Sequence, residues 1–468
     1  MESKFSPGFY NQEKEHDIKD LHIEGHFPEW LQGALLRTGP ALFDLKKQHL
    51  RHWFDGMAML YSFSFRDGKV DFKSKFLKSR AYKKAKKTGS LQIKEWATDP
   101  CKSIFEKVKS YFVAPSLTDN GNINIIKYGE SLLATSETPL PIVFDPENLA
   151  TKKHAKFNDE LEGQIEPAHP HYDEEGHIYN YLLKYSVRSE YQIFRLNPNT
   201  MERHRIATID TFTPAYMHSI GMTENYYLLA EFPFIVNPVE MKFEDKPLIA
   251  NYKWKPEEGT KIHVVNRKNG ENRMFITEPF FAFHHINAFE EKEFIHMDVV
   301  RFDDPGVVHT LYLEKLRSND PSYSAGLVHR YTINQDNGEV TKKKISDKLL
   351  ELPKIYHQKY DTKPYRYVYG AGNTMEGNWL DDVTKIDVTT GEHKVWHQKH
   401  CYPSEPVFVP SPEAKAEDDG IVLAVIFDSD AKNTFLLSLD AQTFEETGRA
   451  LVPEILPMSF HGDFFGKV

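Results

Sequence analysis

The chain has 468 residues, of which 40% are hydrophobic and 27% are charged, a balance typical of a globular protein. Its formal net charge of −10 at pH 7 announces no basic face, which argues against nucleic-acid binding. Two cysteines exclude a disulfide framework and the N-terminal segment lacks the apolar stretch of a signal peptide, so we expect a reducing compartment, the cytosol.

Strand patterns dominate the chain: short aromatic or β-branched runs are bounded by Asn, Asp, Gly and Pro. Seven hairpins recur, each with an apolar strand, a polar turn and a strand of alternating charge. Their turns are expected near Asp67, Glu147, Asn199, Asn269, Asn337, Thr390 and Thr443. The intervals approach the roughly 40–50 residues of a propeller blade, with insertions. We therefore predict an all-β chain forming one seven-bladed β-propeller domain over residues 1–468; the alternative is an irregular pair of β-sandwiches.

Between the first two hairpins lies an insertion, residues 83–115, of different composition. It opens with the basic stretch YKKAKKTG, which we expect to be a loop. The following segment, DPCKSIFEKVKSYFVAP, has helical periodicity. Its apolar face comprises Ile104, Phe105, Val108, Tyr111 and Phe112. Such a helix either lies in a membrane interface or packs on its own domain, and the sequence has no run apolar enough to span a membrane.

Four of the 22 histidines lie in apolar or tightly turned settings. They are His169 in EPAHPHYD, His218 in PAYMHSIGM, His284 in FFAFHHINAFE and His461 in PMSFHGDFF. Singly, each is more typical of a core histidine than of a metal ligand. However, each follows the preceding predicted turn by 15 to 22 residues, and similar offsets in a propeller correspond to similar places in successive blades. Four imidazoles that met at the axis would form a metal site.

Three glutamates lie in comparable apolar settings, Glu137 in ATSETPL, Glu351 in LELPKI and Glu405 in YPSEPVF. Buried carboxylates beside metal-bound histidines accept the ring N–H and fix the tautomer. They also offset the metal charge that four neutral imidazoles leave uncompensated. A structural zinc site would need no apolar mouth, whereas an iron site that admits O₂ would need one.

At these residues the sequence resembles the carotenoid cleavage oxygenase family, and the animal-type members in particular. The likeness extends from FPEWLQGALLRTGP and HWFDGMAMLYSFSF through the histidine segments, and YPSEPVFVPSPEAKAEDDGIVLAV is especially similar. The resemblance implies a seven-bladed propeller with a helical or loop cap over a substrate tunnel. It also implies one axial non-haem Fe(II) per chain, with four catalytic histidine ligands: His169, His218, His284 and His461.

The resemblance assigns a carboxylate to three of these histidines. Glu137, Glu351 and Glu405 would bond His218, His284 and His461 respectively, leaving His169 without a glutamate partner. The remaining histidines of the two paired motifs, His171 and His285, would be neighbours and not ligands. The family's membrane-contacting patch corresponds to the insertion, which implies a cytoplasmic enzyme that binds a membrane surface peripherally.

The activity that the resemblance implies is dioxygenation. The enzyme would cleave a conjugated double bond of a carotenoid or apocarotenoid with O₂ to give retinal-type aldehydes, with trans–cis isomerisation as an additional activity. One departure keeps an alternative open: many oxygenases of the family have a Thr-Asn pair where this chain has Ile123-Asn124. The isomerase branch also lacks that threonine, so the alternative is an iron-dependent retinyl-ester isomerohydrolase. A third hypothesis is a propeller scaffold that carries no metal.

Overall fold

The computed structural model describes residues 3–100, 116–244, 246–318, 322–374 and 378–466, which are mostly β-strand. The strands of the first half are β1 His16–Ile18, β2 His22–Gly25, β3 Gly33–Leu42, β4 Asp44–Leu45, β5 Gln48–His49, β6 Met57–Arg66, β7 Lys69–Phe76, β8 Asn124–Tyr128, β9 Ser131–Thr135, β10 Ile142–Phe144, β11 Thr151–His154, β12 His171–Tyr172, β13 Ile178–Lys184, β14 Ser189–Asn197, β15 Glu202–Thr211, β16 Gly221–Met222 and β17 Tyr226–Glu231. The strands of the second half are β18 Phe234–Ile235, β19 Lys253–Trp254, β20 Thr260–Asn266, β21 Asn272–Thr277, β22 His285–Glu291, β23 Phe294–Arg301, β24 Gly326–Asn334, β25 Val340–Lys354, β26 Tyr367–Gly372, β27 Asp382–Asp387, β28 His393–His397, β29 Cys401–Pro403, β30 Val407–Pro410, β31 Gly420–Asp428, β32 Asn433–Asp440, β33 Glu446–Val452 and β34 Gly462–Phe465.

In the described residues the helices are short and lie between the strands. The α-helices are α1 Arg80–Thr88, α2 Pro238–Phe243, α3 Gly306–Thr310, α4 Leu313–Leu316 and α5 His357–Tyr360. Single turns of 3₁₀ helix occur at Ser6–Phe9, Trp53–Asp55, Ile249–Asn251 and Pro256–Glu258. In the described ranges no helix combines the length and the apolar character that crossing a membrane requires.

The seven predicted turn positions are confirmed, since each lies in a turn between two antiparallel strands. Six of the turns share one local device, an Asn or Asp at the end of the first strand. Its side-chain oxygen accepts the backbone N–H two residues further on, as Asn266 does from Lys268 at 2.9 Å. This Asx turn explains why these residue types mark the turns in the sequence. The residues are Asp145, Asn197, Asn266, Asn334, Asp387 and Asp440.

The first turn differs and uses only two residues, Asp67 and Gly68. Both have positive φ, 51° and 73°. Positive φ at both central positions is the geometry of the tight hairpin turn that matches strand twist, and Asp-Gly favours it. The turn therefore joins β6 to β7 in continuous register from Met59–Phe76 to Arg66–Lys69.

The strands form antiparallel sheets built mainly from consecutive segments. Three sheets have four strands each, ordered β11-β10-β9-β8, β12-β13-β14-β15 and β16-β17-β20-β21. A seven-stranded sheet runs β22 to β28 in order. Its long central strand, β25, pairs with β24 over residues 340–350 and with β26 over residues 350–354. The pairing with β26 shifts register between Glu351 and Lys354. These sequential meanders agree with the predicted all-β class.

The two ends of the chain meet in shared sheets. Strand β34 pairs with β3, where Arg37 lies opposite Gly462, and extends the sheet of β1, β7, β6 and β3. Strand β2 pairs with β33 in the sheet that holds β29 to β33. Segments more than 400 residues apart are therefore hydrogen-bonded to each other along strands, which fixes the position of the C-terminal histidine motif relative to the N-terminal strands.

The basic stretch YKKAKKTG was predicted to be a loop, and this prediction is wrong: it lies in helix α1. Ser79 caps the helix by accepting the N–H of Tyr82 at 3.0 Å, and Gly89, with φ of 80°, ends it. Ala81 and Ala85 are buried, so the lysines between them lie on the exposed side. The capping residues were the available signal, since Ser before and Gly after a helix are typical.

Beyond helix α1, residues 90–100 of the insertion are described. The predicted apolar face, Ile104, Phe105, Val108, Tyr111 and Phe112, lies outside the described residues. The prediction of a membrane-contacting segment over 83–115 therefore stays a prediction.

Candidate metal centre

Four histidines that are distant in sequence lie directly before, or two to three residues before, edge strands of four sheets. His169 precedes β12, His218 precedes β16, His284 precedes β22 and His461 precedes β34. Each side chain is thus carried by a segment that ends where an edge strand starts. Because strand ends are fixed by the ladders behind them, this placement holds the four rings in a defined arrangement.

The structure brings the four rings together. One nitrogen from each of the four lies within 4.8 Å of the other three. Nε2 of His169 is 3.1 Å from Nε2 of His218, and Nε2 of His284 is 3.2 Å from Nε2 of His461. The side chains of His218, His284 and His461 are buried, whereas His169 is half-buried.

In three of the histidines the other ring nitrogen, Nδ1, donates its N–H to a buried carboxylate. Nδ1 lies 2.6 Å from a glutamate oxygen in each pair. The pairs are His218 with Glu137, His284 with Glu351, and His461 with Glu405. A carboxylate accepts only, so Nδ1 carries the proton and Nε2 presents its lone pair to the middle of the cluster. His169 makes no hydrogen bond to a carboxylate among the described residues.

This arrangement tests whether the residues fit a metal. With Nδ1 protonated, the Nε2 atoms of His284 and His461 are both acceptors, and two lone pairs that face each other at 3.2 Å repel unless a cation lies between them. A proton is disfavoured there, because burial and the neighbouring imidazoles lower the pKa of His169 and of His461 well below the usual value. Imidazole nitrogens are ligands of Fe, Zn, Cu and Ni, so the donor set fits such an ion.

The carboxylate of Glu137 is held by a second donor that the sequence did not indicate. The hydroxyl of Tyr216 donates to the same Oε1 at 2.8 Å. Tyr216 is two residues before His218 in PAYMHSIGM, so one segment supplies both groups. The two-residue spacing between Tyr216 and His218 was the available sequence signal for this role, because Glu137 lies 79 residues before Tyr216.

Glu405 has the most charged surroundings. Its Oε2 accepts the N–H of Gly462 at 3.1 Å and lies 4.0 Å from the guanidinium of Arg37. Nζ of Lys354 lies 3.8 Å from the other oxygen. Burial raises the pKa of Glu405, and these two cations oppose that rise.

Arg37 also ties the C-terminal histidine segment to the first sheet. Its side chain is fully buried and donates to Oγ of Ser459 at 3.1 Å and to the backbone oxygen of Glu405 at 2.7 Å. The backbone N–H of His461 in turn donates to the carbonyl of Ile123 at 3.1 Å. Ile123 is itself buried, so the position that carries threonine in many oxygenases presents an apolar side chain here.

The two other histidines of the paired motifs are engaged elsewhere. Nδ1 of His171 lies 3.1 Å from both oxygens of Asp361, and its Nε2 lies 3.0 Å from the carbonyl of Ile220. Two acceptors favour the doubly protonated ring, and the pKa of His171 is raised even though burial opposes this. Nδ1 of His285 lies 2.9 Å from Oγ of Ser219.

One side of the cluster is aromatic. The rings of Phe54 and Phe283 lie 6.1 and 5.6 Å from the ring of His218. Trp96 packs on Phe54 at 4.9 Å and Phe460 packs on it at 5.1 Å. All four of these aromatic side chains are buried, so this side excludes water.

The other side of the cluster is polar. A cavity of about 1070 Å³ is lined at one end by His169, His284 and His461. The exposed residues Glu174 and Lys359 line its other end, so the cavity opens to solvent. The centre therefore lies between an apolar wall and a wet cavity.

The chain is similar to known proteins over almost its whole length. The family model described as RPE65, retinal pigment epithelial membrane protein, matches residues 9–466. The chain is similar to a protein of Mustela putorius furo named mitochondrial carotenoid-cleaving dioxygenase, with 32% identity over 96% of this chain and 94% of the relative. It is also similar to beta,beta-carotene 15,15′-dioxygenase of Gallus gallus, with 33% identity over 97% of both chains.

Among solved structures, the fold is similar to that of cobalt-substituted Synechocystis apocarotenoid oxygenase. The TM-score is 0.87 at 28% identity, over 99% of this chain and 98% of that structure. The likeness therefore covers the strands on both sides of every histidine segment.

Proposed function

This chain belongs to the RPE65 family, which includes the carotenoid oxygenases, and from that premise we propose that it is a non-haem Fe(II) dioxygenase that cleaves a conjugated double bond of a carotenoid or apocarotenoid. The observation that carries the proposal is the convergence of four imidazole Nε2 atoms, three of them oriented by buried carboxylates. The products would be aldehydes of retinal type, and isomerisation of one product half would accompany cleavage in some turnovers.

Our proposal for the architecture is a single seven-bladed β-propeller with the metal on its axis and helices and loops as a cap. Seven outer hairpins support the blade number, provided that β22–β28 counts as two blades that share β25. The pairing of β34 with β3 and of β2 with β33 supports ring closure, because each joins the two ends of the chain.

In this proposal His169, His218, His284 and His461 hold the iron through Nε2, and Glu137, Glu351 and Glu405 hold three of those rings in the required tautomer. Bound Fe(II) would supply binding and activation of O₂. The three carboxylates offset the positive charge of the ion, which four neutral rings leave uncompensated.

The aromatic wall would hold the substrate and keep water away from it. Phe54, Phe283 and Trp96 present buried apolar surface next to His218. A polyene matches such a surface, because burial of its chain contributes about 25 cal/mol per Å². Ring faces also stabilise positive charge that develops on the polyene during cleavage.

The proposed route to a water-insoluble substrate is a membrane surface, reached from the cytoplasm. Helix α1 carries four lysines, Lys83, Lys84, Lys86 and Lys87, at the start of the insertion. Basic side chains near an anionic lipid surface contribute about 1 kcal/mol each, which favours binding of this part of the molecule to the membrane.

The second candidate is a retinyl-ester isomerohydrolase on the same centre, and Ile123 is the observation that favours it. This residue is buried, bonded through its carbonyl to the N–H of His461, and carries no hydroxyl. Incubation under ¹⁸O₂ separates the two reactions. Label in an aldehyde product supports oxygenation, whereas unlabelled cis-retinol supports the isomerohydrolase.

Iron analysis of the full chain, purified without oxygen, tests the premise that both candidates share. We expect one iron per chain, or its recovery after Fe(II) is added. Iron that is absent and is not restored would leave the scaffold hypothesis as the explanation of the fold.

A further inference from the structure

The cavity beside the four histidines reaches from the centre to bulk solvent. His169 and His284 line its inner end, and the exposed Glu174, Glu175 and Lys359 line its outer end. Its size, about 1070 Å³, is enough for many water molecules, each of which takes about 30 Å³ in the liquid. The cavity thus offers a hydrated path to the Nε2 atoms.

The wall of the cavity also includes a carboxylate and an imidazole, side chains of the types that bind divalent ions. Asp361, on the segment after α5, shares its carboxylate with His171 at 3.1 Å and is mostly buried. His357, four residues before Asp361, lines the same cavity, as does Asp463. Burial lowers the pKa of His357 to about 4, so its ring is neutral at pH 7 and has a free lone pair.

Several basic groups line the same cavity, and some are paired with carboxylates; the protonated His171 is paired with Asp361 itself. Nζ of Lys363 pairs with Glu174 at 2.9 Å, and Nζ of Lys354 lies 3.8 Å from Glu405. The guanidinium of Arg267 lies 4.0 Å from Asp173 and over the ring of Tyr179 at 4.2 Å. Lys127, Lys359 and Arg195 are exposed at the rim, where solvent screens them.

The opposite wall of the centre is closed to an ion. Phe54, Phe283, Phe460 and Trp96 are buried there and pack against one another. A divalent cation that crossed such a surface would lose its hydration shell before it met any ligand, at a cost of tens of kcal/mol in a low dielectric.

We propose that the polar cavity is the entry channel for the divalent metal, and that the Asp361 carboxylate and the His357 imidazole are its transient binding groups on the way to the four histidines. The inference rests on the proposed metal centre and adds the route by which that centre is filled. Asp361, whose charge the protonated His171 partly offsets, supplies carboxylate oxygens at the wall of the cavity. His357 provides a nitrogen of the same type as the final ligands.

The test is the rate at which metal-free full-length protein takes up Co²⁺, followed in a stopped-flow instrument by the visible absorption of the bound ion. A residue that acts only on the route changes the association and dissociation rates equally and leaves Kd unchanged, because Kd depends only on the end states. We expect Asp361→Asn, which keeps the acceptor for His171, to slow both rates about tenfold, the lower limit of electrostatic focusing.

Two further variants complete the design. Asp336→Asn removes an equal charge at the exposed turn between β24 and β25 and should leave uptake unchanged. Gln358→Trp narrows the opening without a change of charge, since Gln358 is exposed and lines the cavity. It should also slow both rates at constant Kd, and it keeps the test valid if Asp361→Asn does not fold.

The outcomes separate this inference from the proposed function. Wild-type uptake rates in both Asp361→Asn and Gln358→Trp would overturn the channel and leave the cavity as a path for water. A raised Kd with unchanged association would also overturn it, because Asp361 would then support the centre itself. A wild-type protein that binds no Co²⁺ or Fe(II) would refute the metal centre instead.

Discussion

The two parts of the candidate metal centre differ in how firmly their rings are held. His218, His284 and His461 are buried and each donates to a glutamate at 2.6 Å, whereas His169 is half-buried and makes no such bond among the described residues. The fixed rings have a set tautomer and orientation, and His169 keeps freedom in both. In the proposed centre, three rings would therefore define the position of the ion and His169 would adjust to it.

The largest expected effect comes from removing a fixed ring. His284→Ala removes one of the four converging Nε2 atoms and the ring N–H that Oε2 of Glu351 accepts, so metal content should fall to background. The measurement is iron per chain after reconstitution. His285→Gln is the matched control, because that ring bonds Ser219 instead, and it should retain iron. Full iron retention in His284→Ala would refute the assignment.

A weaker effect on metal affinity is expected when the imidazole is kept and the carboxylate that accepts its Nδ1–H is replaced. Glu351→Gln preserves the shape of the side chain and removes the negative charge that fixes the Nδ1 proton of His284. Metal affinity should fall about 10- to 100-fold, as is typical when the hydrogen-bond partner of a ligand is lost. Competition with a chelator of known affinity measures it, and an unchanged Kd would show that the carboxylate does not orient the ring.

A smaller effect on metal affinity is expected from Tyr216, which bonds the carboxylate that supports His218. Tyr216→Phe removes one donor from Glu137 and leaves its bond to His218 in place. A hydrogen bond of this kind contributes about 1 kcal/mol, so Kd should rise roughly fivefold. Tyr365→Phe is the control, since that buried hydroxyl donates to Asp298, which bonds none of the four histidines, and its Kd should equal that of the wild type.

The smallest effect on metal affinity is expected at a buried carboxylate that bonds no ligand ring. Burial raises the pKa of Glu166 to about 7. The folded state then holds a proton that the unfolded state has released, so wild-type stability falls as pH rises from about 5 to 8, by about 2–3 kcal/mol from this group. Glu166→Gln should be relatively more stable at pH 8 by that amount, measured by denaturant unfolding at both pH values, with an unchanged Kd.

Sequence reasoning reached the turns because the signal is local. Asn266 and its counterparts bond backbone groups two residues away, so residue type alone marks each position. The four histidines could be selected by their apolar settings and similar offsets, whereas the pairing of glutamates with rings came from the family resemblance. Helix α1 was predicted as a loop because its run of lysines was taken as a solvent-exposed loop, although Ser79 and Gly89 are typical helix caps.

What the sequence could not reveal are contacts between segments with no shared pattern. Arg37 meets Glu405 across 368 residues, and Asp361 meets His171 across 190. No periodicity or spacing links such positions, because their proximity depends on how complete sheets are arranged. The polar cavity has the same origin, since its wall is assembled from loops of several sheets.

The pairing of β34 with β3 also means that the proposed centre is completed late in synthesis of the chain. His461 is made 177 residues after His284, which at about 5–20 residues per second is a delay on the order of 10–35 s. During that interval three ligand rings exist but the sheet that positions the fourth is incomplete. The nascent chain would therefore lack one of the four proposed ligands until β34 has paired with β3, and the proposed centre would have its full set of donors only after that step.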